Sequence, residues 1–152
     1  MKRLITYFSY SNNTKRLVEG IKNEITDIDV IRIERKKPYS NDYDECAYHE
    51  AKDEIDNNIH PEIKEINVDL NSYDEIMIFF PIWWYTYPMP IATFIEKMHG
   101  YKGKVILFAN SYANDYHYMK NSLRDFKKLD PEIDVSEGLF NKDLNEHLNF
   151  IK

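Results

Sequence analysis

Residues 76–90 read Ile-Met-Ile-Phe-Phe-Pro-Ile-Trp-Trp-Tyr-Thr-Tyr-Pro-Met-Pro. The first five form a continuous apolar run, as expected of a strand covered on both faces in a parallel sheet. A loop should follow, and there the chain places both of its tryptophans and two tyrosines. Loops lie at the surface, where so many large aromatics would be poorly solvated. They call for a cover: another part of this chain, a partner protein or a flat aromatic ligand. Adjacent residues leaving a strand point to opposite sides, so Trp83 and Trp84 are not both expected in the core. One should pack under a helix. The other should face the crevice at the carboxyl ends of the strands, where ligands bind in open α/β sheets. Pro88 and Pro90 stiffen the exit and start the next helix.

Outward from this stretch, strand and helix patterns alternate. Leu4–Phe8, Val30–Ile33 and Val105–Ala109 read as further strands, with Ile133 and Val135 marking a weaker fifth. Between them, Leu17, Val18, Ile21 and Ile25 fall at helical spacing, as do Ile91, Phe94, Ile95 and Met98. Met119, Leu123 and Phe126 mark another helix, and Leu144, Leu148 and Ile151 a short last one. Strands separated by helices predict βαβ units with right-handed crossovers, hence an open parallel sheet with helices on both faces. One stretch, Glu34 to Tyr73, is longer than a simple crossover. Within it Ala47, Ala51, Ile55 and Ile59 are spaced by four, and Pro61 is expected to end that helix. No repeat or low-complexity linker appears, so residues 1–152 are expected to form a single domain.

Composition narrows the function. With 26 acidic against 20 basic residues the net charge is −6, and no Lys/Arg cluster is evident along the chain, which argues against nucleic acid as a partner. Cys46 is the only cysteine, so no internal disulfide can form and a reducing cytoplasm is expected. No apolar run approaches the roughly 20 residues of a membrane span. The five histidines show no ligand spacing, so no metal is expected, and no nucleophile signature occurs.

Two more loops join the aromatic one at the strand ends. Ser9-Tyr-Ser-Asn-Asn-Thr14 lies between the first strand and the first helix. A helix N-terminus offers unpaired N–H groups and a positive dipole end, and Ser, Thr and Asn add donors, so the loop suits a phosphate group without needing Lys or Arg. Plain helix capping also uses these residues, but needs only one of them. Asn110-Ser-Tyr-Ala-Asn-Asp-Tyr116 follows the fourth strand and is again polar with aromatics. A phosphate cradle, an aromatic plate and polar edge groups on one sheet edge suit a ligand with a phosphate tail and a flat heterocyclic head.

The chain resembles the flavodoxins, in particular a short branch with a Pro-x-Trp-Trp loop. Tyr7-Phe-Ser-Tyr-Ser-Asn-Asn-Thr14 resembles the family's phosphate loop. Pro81-Ile-Trp-Trp84 with Pro88-Met-Pro90 and Thr93-Phe94 resembles the branch's second loop and helix. Gly103-Lys104-Val105 through Phe108 resembles the strand before the third loop. Pro38 to Tyr43, Ala51, Glu54 and Pro61 to Ile63 resemble its long crossover. The resemblance implies a flavodoxin-like three-layer α/β sandwich, five parallel strands in order 2-1-3-4-5, with FMN bound at the strand ends. It implies that Ser9, Ser11, Asn12, Asn13 and Thr14 hold the phosphate. Pro81, Ile82, Trp83, Trp84 and Tyr85 would line the isoalloxazine, and Ser111, Tyr112, Asn114 and Asp115 its far edge. Two departures stand out. Asn12 replaces a usual glycine, which asparagine can do because it tolerates positive φ. Tyr85 replaces the glycine usual after Trp-Trp, and is expected to resist the positive-φ conformation that glycine allows.

Three functions follow as expectations. The first is an FMN-binding electron carrier, acting with a reductase and an acceptor protein and docking through its acidic surface. The second is an FMN-dependent NAD(P)H reductase of quinones or similar small acceptors. The third is a flavin-free flavodoxin-like interaction domain.

Overall fold

The computed structural model describes all 152 residues. Five strands form one parallel sheet: β1 (Arg3–Tyr7), β2 (Asp29–Arg32), β3 (Glu75–Pro81), β4 (Lys104–Asn110) and β5 (Asp134–Phe140). Their order is β2-β1-β3-β4-β5, as expected. The register sets Leu4 against Ile76 and Ile76 against Val105, so the most apolar segments lie side by side in the middle of the sheet.

Side chains alternate faces along each strand. On one face Leu4, Ile76, Ile78, Phe80, Val105 and Leu107 join the larger core, which α4 (Met89–Lys97) and α5 (His117–Leu129) cover with Phe94, Ile95, Met119 and Phe126. On the other, Ile5, Tyr7, Met77, Phe79 and Phe108 meet Val18 and Ile21 of α1 (Asn13–Glu24) and Leu148 and Ile151 of α6 (Leu144–Ile151). A strand buried on both sides has no reason to alternate polar residues, which is why Ile76–Phe80 reads as one apolar run.

The fifth strand lies further along the chain than the sequence pattern suggests. It starts at Asp134 and runs through Gly138 to Phe140, past a register shift opposite Leu107 and Ala109. A Cβ at Gly138 would come within 2.7 Å of the Phe108 ring, so the bulged strand closes only around glycine. Its exposed face carries Asp134 and Ser136, which hides the strand from a search for apolar runs.

The long crossover between β2 and β3 also differs. Its helical part runs from α2 (Tyr43–Glu45) through a π-helical turn (Cys46–Ala51) into α3 (Lys52–Asp56). The wider turn rotates the buried face, so Cys46, Ala51 and Glu54 point inward; Ile59, beyond the end of the helix, is exposed. The helix stops at Asn57 rather than at Pro61, because Asn58 takes the left-handed conformation at φ 51°. No helix is long and apolar enough to cross a membrane.

Candidate functional site at the strand ends

The first loop leaves β1 and enters α1 through Asn12, which sits at φ 71° in the position of the usual glycine. Asn12 makes no side-chain cap. The N–H groups of Tyr10, Ser11, Asn12, Asn13 and Thr14 find no partner within the protein. The next one, Lys15 N–H, donates to Ser9 Oγ at 3.3 Å. The first turn of α1 carries no acid, so five adjacent donors at a positive helix end stay open to an anion. Ser9 and Thr14 are buried; Ser11, Asn12 and Asn13 are exposed. Thr14 Oγ1 donates to Asn110 Oδ1 at 2.9 Å, fixing the first loop to the end of β4. From the other side, Arg32 Nη2 donates to the Ser9 carbonyl at 3.0 Å.

The second loop leaves β3 at Pro81, and Ile82 N–H donates to the Asn110 carbonyl at 2.8 Å. Trp83 N–H then donates to the Thr86 carbonyl at 2.9 Å, closing a tight turn with Trp84 and Tyr85 at its tip. The left-handed residue of this turn is Trp84, at φ 64°, and not Tyr85. Tyr85 avoids positive φ, as expected of it; the strained position is its neighbour Trp84, which the sequence reading did not single out. The bond from Trp83 to Thr86 makes Trp84 the first central residue, where a turn with one positive φ normally has glycine. Tyr85 takes the second central position and needs no such conformation.

Both tryptophans are half-buried and both turn toward the crossover insert. This corrects the expectation that they would part, one to the core and one to the crevice. The positive φ at Trp84 breaks the strand-like alternation on which that expectation rested. Trp83 lies edge-on among Phe8, Tyr10 and Tyr39, with ring centroids 5.1, 5.8 and 5.0 Å away. Trp84 Nε1 donates to the Ala47 carbonyl at 3.0 Å, and its ring meets Tyr48 edge-on at 5.5 Å. Between the loop and the insert lies an apolar cleft lined by Tyr10, Ile82, Trp83, Trp84, Tyr43 and Tyr48. Tyr85 is turned away. Its side chain lines a separate hollow with Ile55, His60 and Arg124, and its carbonyl accepts from Asn121 Nδ2 at 3.0 Å.

The insert is held by a buried polar network. Tyr39 OH donates to Glu54, while Arg35 reaches Glu54 at 3.3 Å and Glu50 at 3.5 Å and lies 4.1 Å over the Tyr39 ring. Burial raises the Glu54 carboxyl above its ordinary range, against the pull of Tyr39 and Arg35. Burial also pushes the Cys46 thiol up to about 11, so this cleft residue stays a neutral apolar group.

The third loop is braced from a place the sequence reading missed. Ser111 N–H donates to Asn141 Oδ1 at 2.6 Å, and Asn141 Nδ2 donates to Asn114 Oδ1 at 3.2 Å. Asn141, at φ 54°, follows β5. The same search for polar residues at strand ends finds it once the fifth strand is placed correctly. Asn110, read as part of the third loop but not among the residues expected to meet the ligand, is bonded to both other loops. Tyr112 is fully exposed. Asp115 accepts from His117 N–H and Nδ1 at 3.0 Å, and these bonds hold its carboxyl below the usual range. Thr14, Pro81, Ile82, Ser111 and Asn114 thus converge through Asn110 and Asn141, with Trp83 and Trp84 forming the apolar wall beside them. Tyr85, Tyr112 and Asp115 stand outside that convergence.

The chain matches the flavodoxin family over residues 2–149. It is similar to the crystal structure of a flavoprotein in complex with FMN from Lactobacillus acidophilus, at 29% identity over 99% of both chains and a TM-score of 0.82. The solution structure of the apo-form of the flavoprotein from the same organism matches 93% of this chain and 92% of its own, at 29% identity and a TM-score of 0.71. A flavodoxin from the domain Archaea shares the fold at 17% identity, covering 99% and 95% of the two chains with a TM-score of 0.57. Comparison with curated protein sequences gave no match. With all but the first residue and the last three covered by the family match, this chain belongs to the flavodoxin family.

Proposed function

We propose that the protein binds FMN noncovalently at these strand ends and carries electrons between partner proteins, a reductase and an acceptor, in a reducing cytoplasm, with residues 1–152 acting as one domain. The observation that carries this reading is the run of five unpartnered N–H groups, Tyr10 to Thr14, beside an apolar cleft walled by Trp83 and Trp84. A phosphomonoester needs the first and a flat ring system the second. The complex of the similar Lactobacillus flavoprotein with FMN supports the choice of ligand.

When bound, FMN supplies the redox chemistry. The residues of this chain do the rest. The first-loop amides, with Ser11 and Asn13, hold the phosphate charge without a lysine or arginine. Trp83, Trp84, Tyr10 and Ile82 exclude water from the ring. Ser111 and Asn114, fixed by Asn141, offer polar groups to its heteroatom edge. Asp115 stays ionised, and its negative field opposes added electron density nearby. The single buried cysteine fits a reducing compartment.

Adding FMN to the purified protein tests the reading. Binding should shift the flavin absorption bands and quench tryptophan fluorescence, since both tryptophans border the cleft. If neither changes, the proposal fails. Without a partner protein, the FMN-loaded form should oxidise NAD(P)H with a quinone no faster than free FMN does. Turnover there would move the assignment to a reductase.

A further inference from the structure

The chain is acidic overall, yet one helix face is basic. Lys120, Arg124, Lys127 and Lys128 are all exposed on α5 and, with Leu123 and Glu137, border one shallow hollow. The cluster is not visible along the sequence because it is spaced i, i+4, i+7, i+8, which only a helix gathers onto one side. Over these eight positions the helix rises about 12 Å.

Elsewhere the exposed Lys36, Lys64 and Lys142 each lie within 3.9 Å of a carboxylate, while Lys2, Lys37, Lys97, Lys102 and Lys104 are exposed without one and are not gathered on one helix face. On α5 only Arg124 has an acidic neighbour, Asp125 at 3.2 Å, and Lys120, Lys127 and Lys128 have none. Glu137 is taken up by the Tyr116 hydroxyl. Like charges one turn apart destabilise a helix. The helix dipole offsets this for Lys127 and Lys128 in the last turn, but not for Lys120, a cation in the first turn.

The strip begins at the candidate site. Lys120 Nζ lies 5.9 Å over Tyr116, the last residue of the third loop, and Asn121 beside it holds the tip of the Trp-Trp turn through the Tyr85 carbonyl. From there the cations run down the helix away from the strand ends. We infer that this face of α5 is the docking surface for an acidic redox protein, steering its redox centre to the rim formed by the second and third loops. The inference rests on the reading of the protein as an electron carrier. It replaces the expectation that the acidic surface does the docking: opposite charges raise the encounter rate and fix orientation, and on the α5 side of this site the charge is positive.

The test compares two triple variants of the full chain with the same change in net charge. One is Lys120→Glu, Lys127→Glu and Lys128→Glu. The other is Lys37→Glu, Lys97→Glu and Lys102→Glu, at exposed positions off the strip. The probe is an acidic [2Fe–2S] ferredoxin, whose paramagnetic cluster broadens nearby amide signals of the isotope-labelled protein. Broadening is expected along α5 and residues 110–116, disappearing at high salt. The strip variant should lose about tenfold in affinity while the other stays within about twofold. Equal losses in both variants, or broadening centred on residues 42–56, would overturn the inference. So would perturbation of the α5 amides by NADPH but not by ferredoxin, which would assign the strip to a small anion. The mapping does not require bound flavin, so a protein that binds ferredoxin at α5 but fails to bind FMN loses the carrier reading alone.

Discussion

The phosphate loop and the Trp-Trp loop lie side by side and are built on different principles. Ser9–Thr14 is made locally. Short residues, one left-handed asparagine and a helix end create its donors, and only Tyr10, to Ser40 and Trp83, and Thr14, to Asn110, tie its side chains to distant parts of the chain. Trp83–Thr86 is made from a distance. Its shape depends on Ala47, Tyr48 and Tyr39, 35 or more residues earlier in the chain, and these depend on Arg35 and Glu54. A local loop keeps its form when its surroundings change. A loop built on long-range packing passes every change in its support to the site.

The largest effect should therefore come from a residue that touches neither loop. Glu54→Ala leaves Arg35 and the Tyr39 hydroxyl without their buried partner, and breaking a buried pair from one side costs about 3–5 kcal/mol. Urea unfolding should show that loss. At urea concentrations where the variant stays folded, the Trp83 environment should also change, seen as a shift in fluorescence, while amide shifts of residues 10–14 stay put. Equal disturbance of both loops would erase the contrast between them.

At Trp84 the two principles oppose each other. The φ of 64° strains any residue but glycine, at a cost of about 1–2 kcal/mol. The ring repays it through the bond to Ala47, the edge contact with Tyr48 and Lys52, 5.1 Å from the ring centroid. Trp84→Ala loses the contacts and keeps the strain; Trp84→Gly loses the contacts and the strain together. Both should be less stable than the parent, with the glycine variant more stable than the alanine variant by about 1 kcal/mol. The reverse order in thermal unfolding would mean that the turn relaxes out of the left-handed region.

How far the sequence could be read follows the same division. Ile76–Phe80 announces a doubly covered strand because burial on both faces removes every polar residue from it. The donors of the first loop were legible because their chemistry lies in six consecutive residues. Asn12 could be assigned a positive φ from its own side chain. Trp84 could not, since its conformation is set by the Trp83–Thr86 bond and by the insert. The π-helical turn likewise leaves no period in the sequence, and it moves the buried face from a spacing of four to Cys46, Ala51 and Glu54. Asn141 was hidden because β5 was placed too early.

The two faces of the sheet should also respond differently to pH. Behind the phosphate loop, burial lowers the pKa of His147, which packs against Phe79 and Phe108. Below about 6.5 the unfolded chain takes up a proton that the folded chain resists, so this face loses stability as pH falls. Behind the Trp-Trp loop, Glu54 has a raised pKa, so the folded chain binds the extra proton above about 4.5, and acid favours this face. Thermal unfolding between pH 7.5 and about 4.5 separates the two. His147→Gln should flatten the loss of stability on acidification, and Glu54→Gln should steepen it. The same change in slope from both variants would contradict the assigned signs.

The smallest effect on folding is expected where the loop is most local, and it carries the most information about binding. Asn12 is exposed, forms no cap and pays for its left-handed backbone with nothing visible in the folded chain. Asn12→Gly should leave stability within about 0.5 kcal/mol, because the position suits glycine. Asn12→Ala should cost about 1 kcal/mol, since alanine resists positive φ without asparagine's local compensation. The two variants remove the same side-chain donors and differ only in backbone preference. If the phosphate is held by N–H groups, FMN affinity should survive in the glycine variant and fall several-fold in the alanine variant, where the amides lose their common aim. If the asparagine side chain holds the phosphate instead, both variants should weaken alike, and the cradle would have to be reassigned from backbone to side chains.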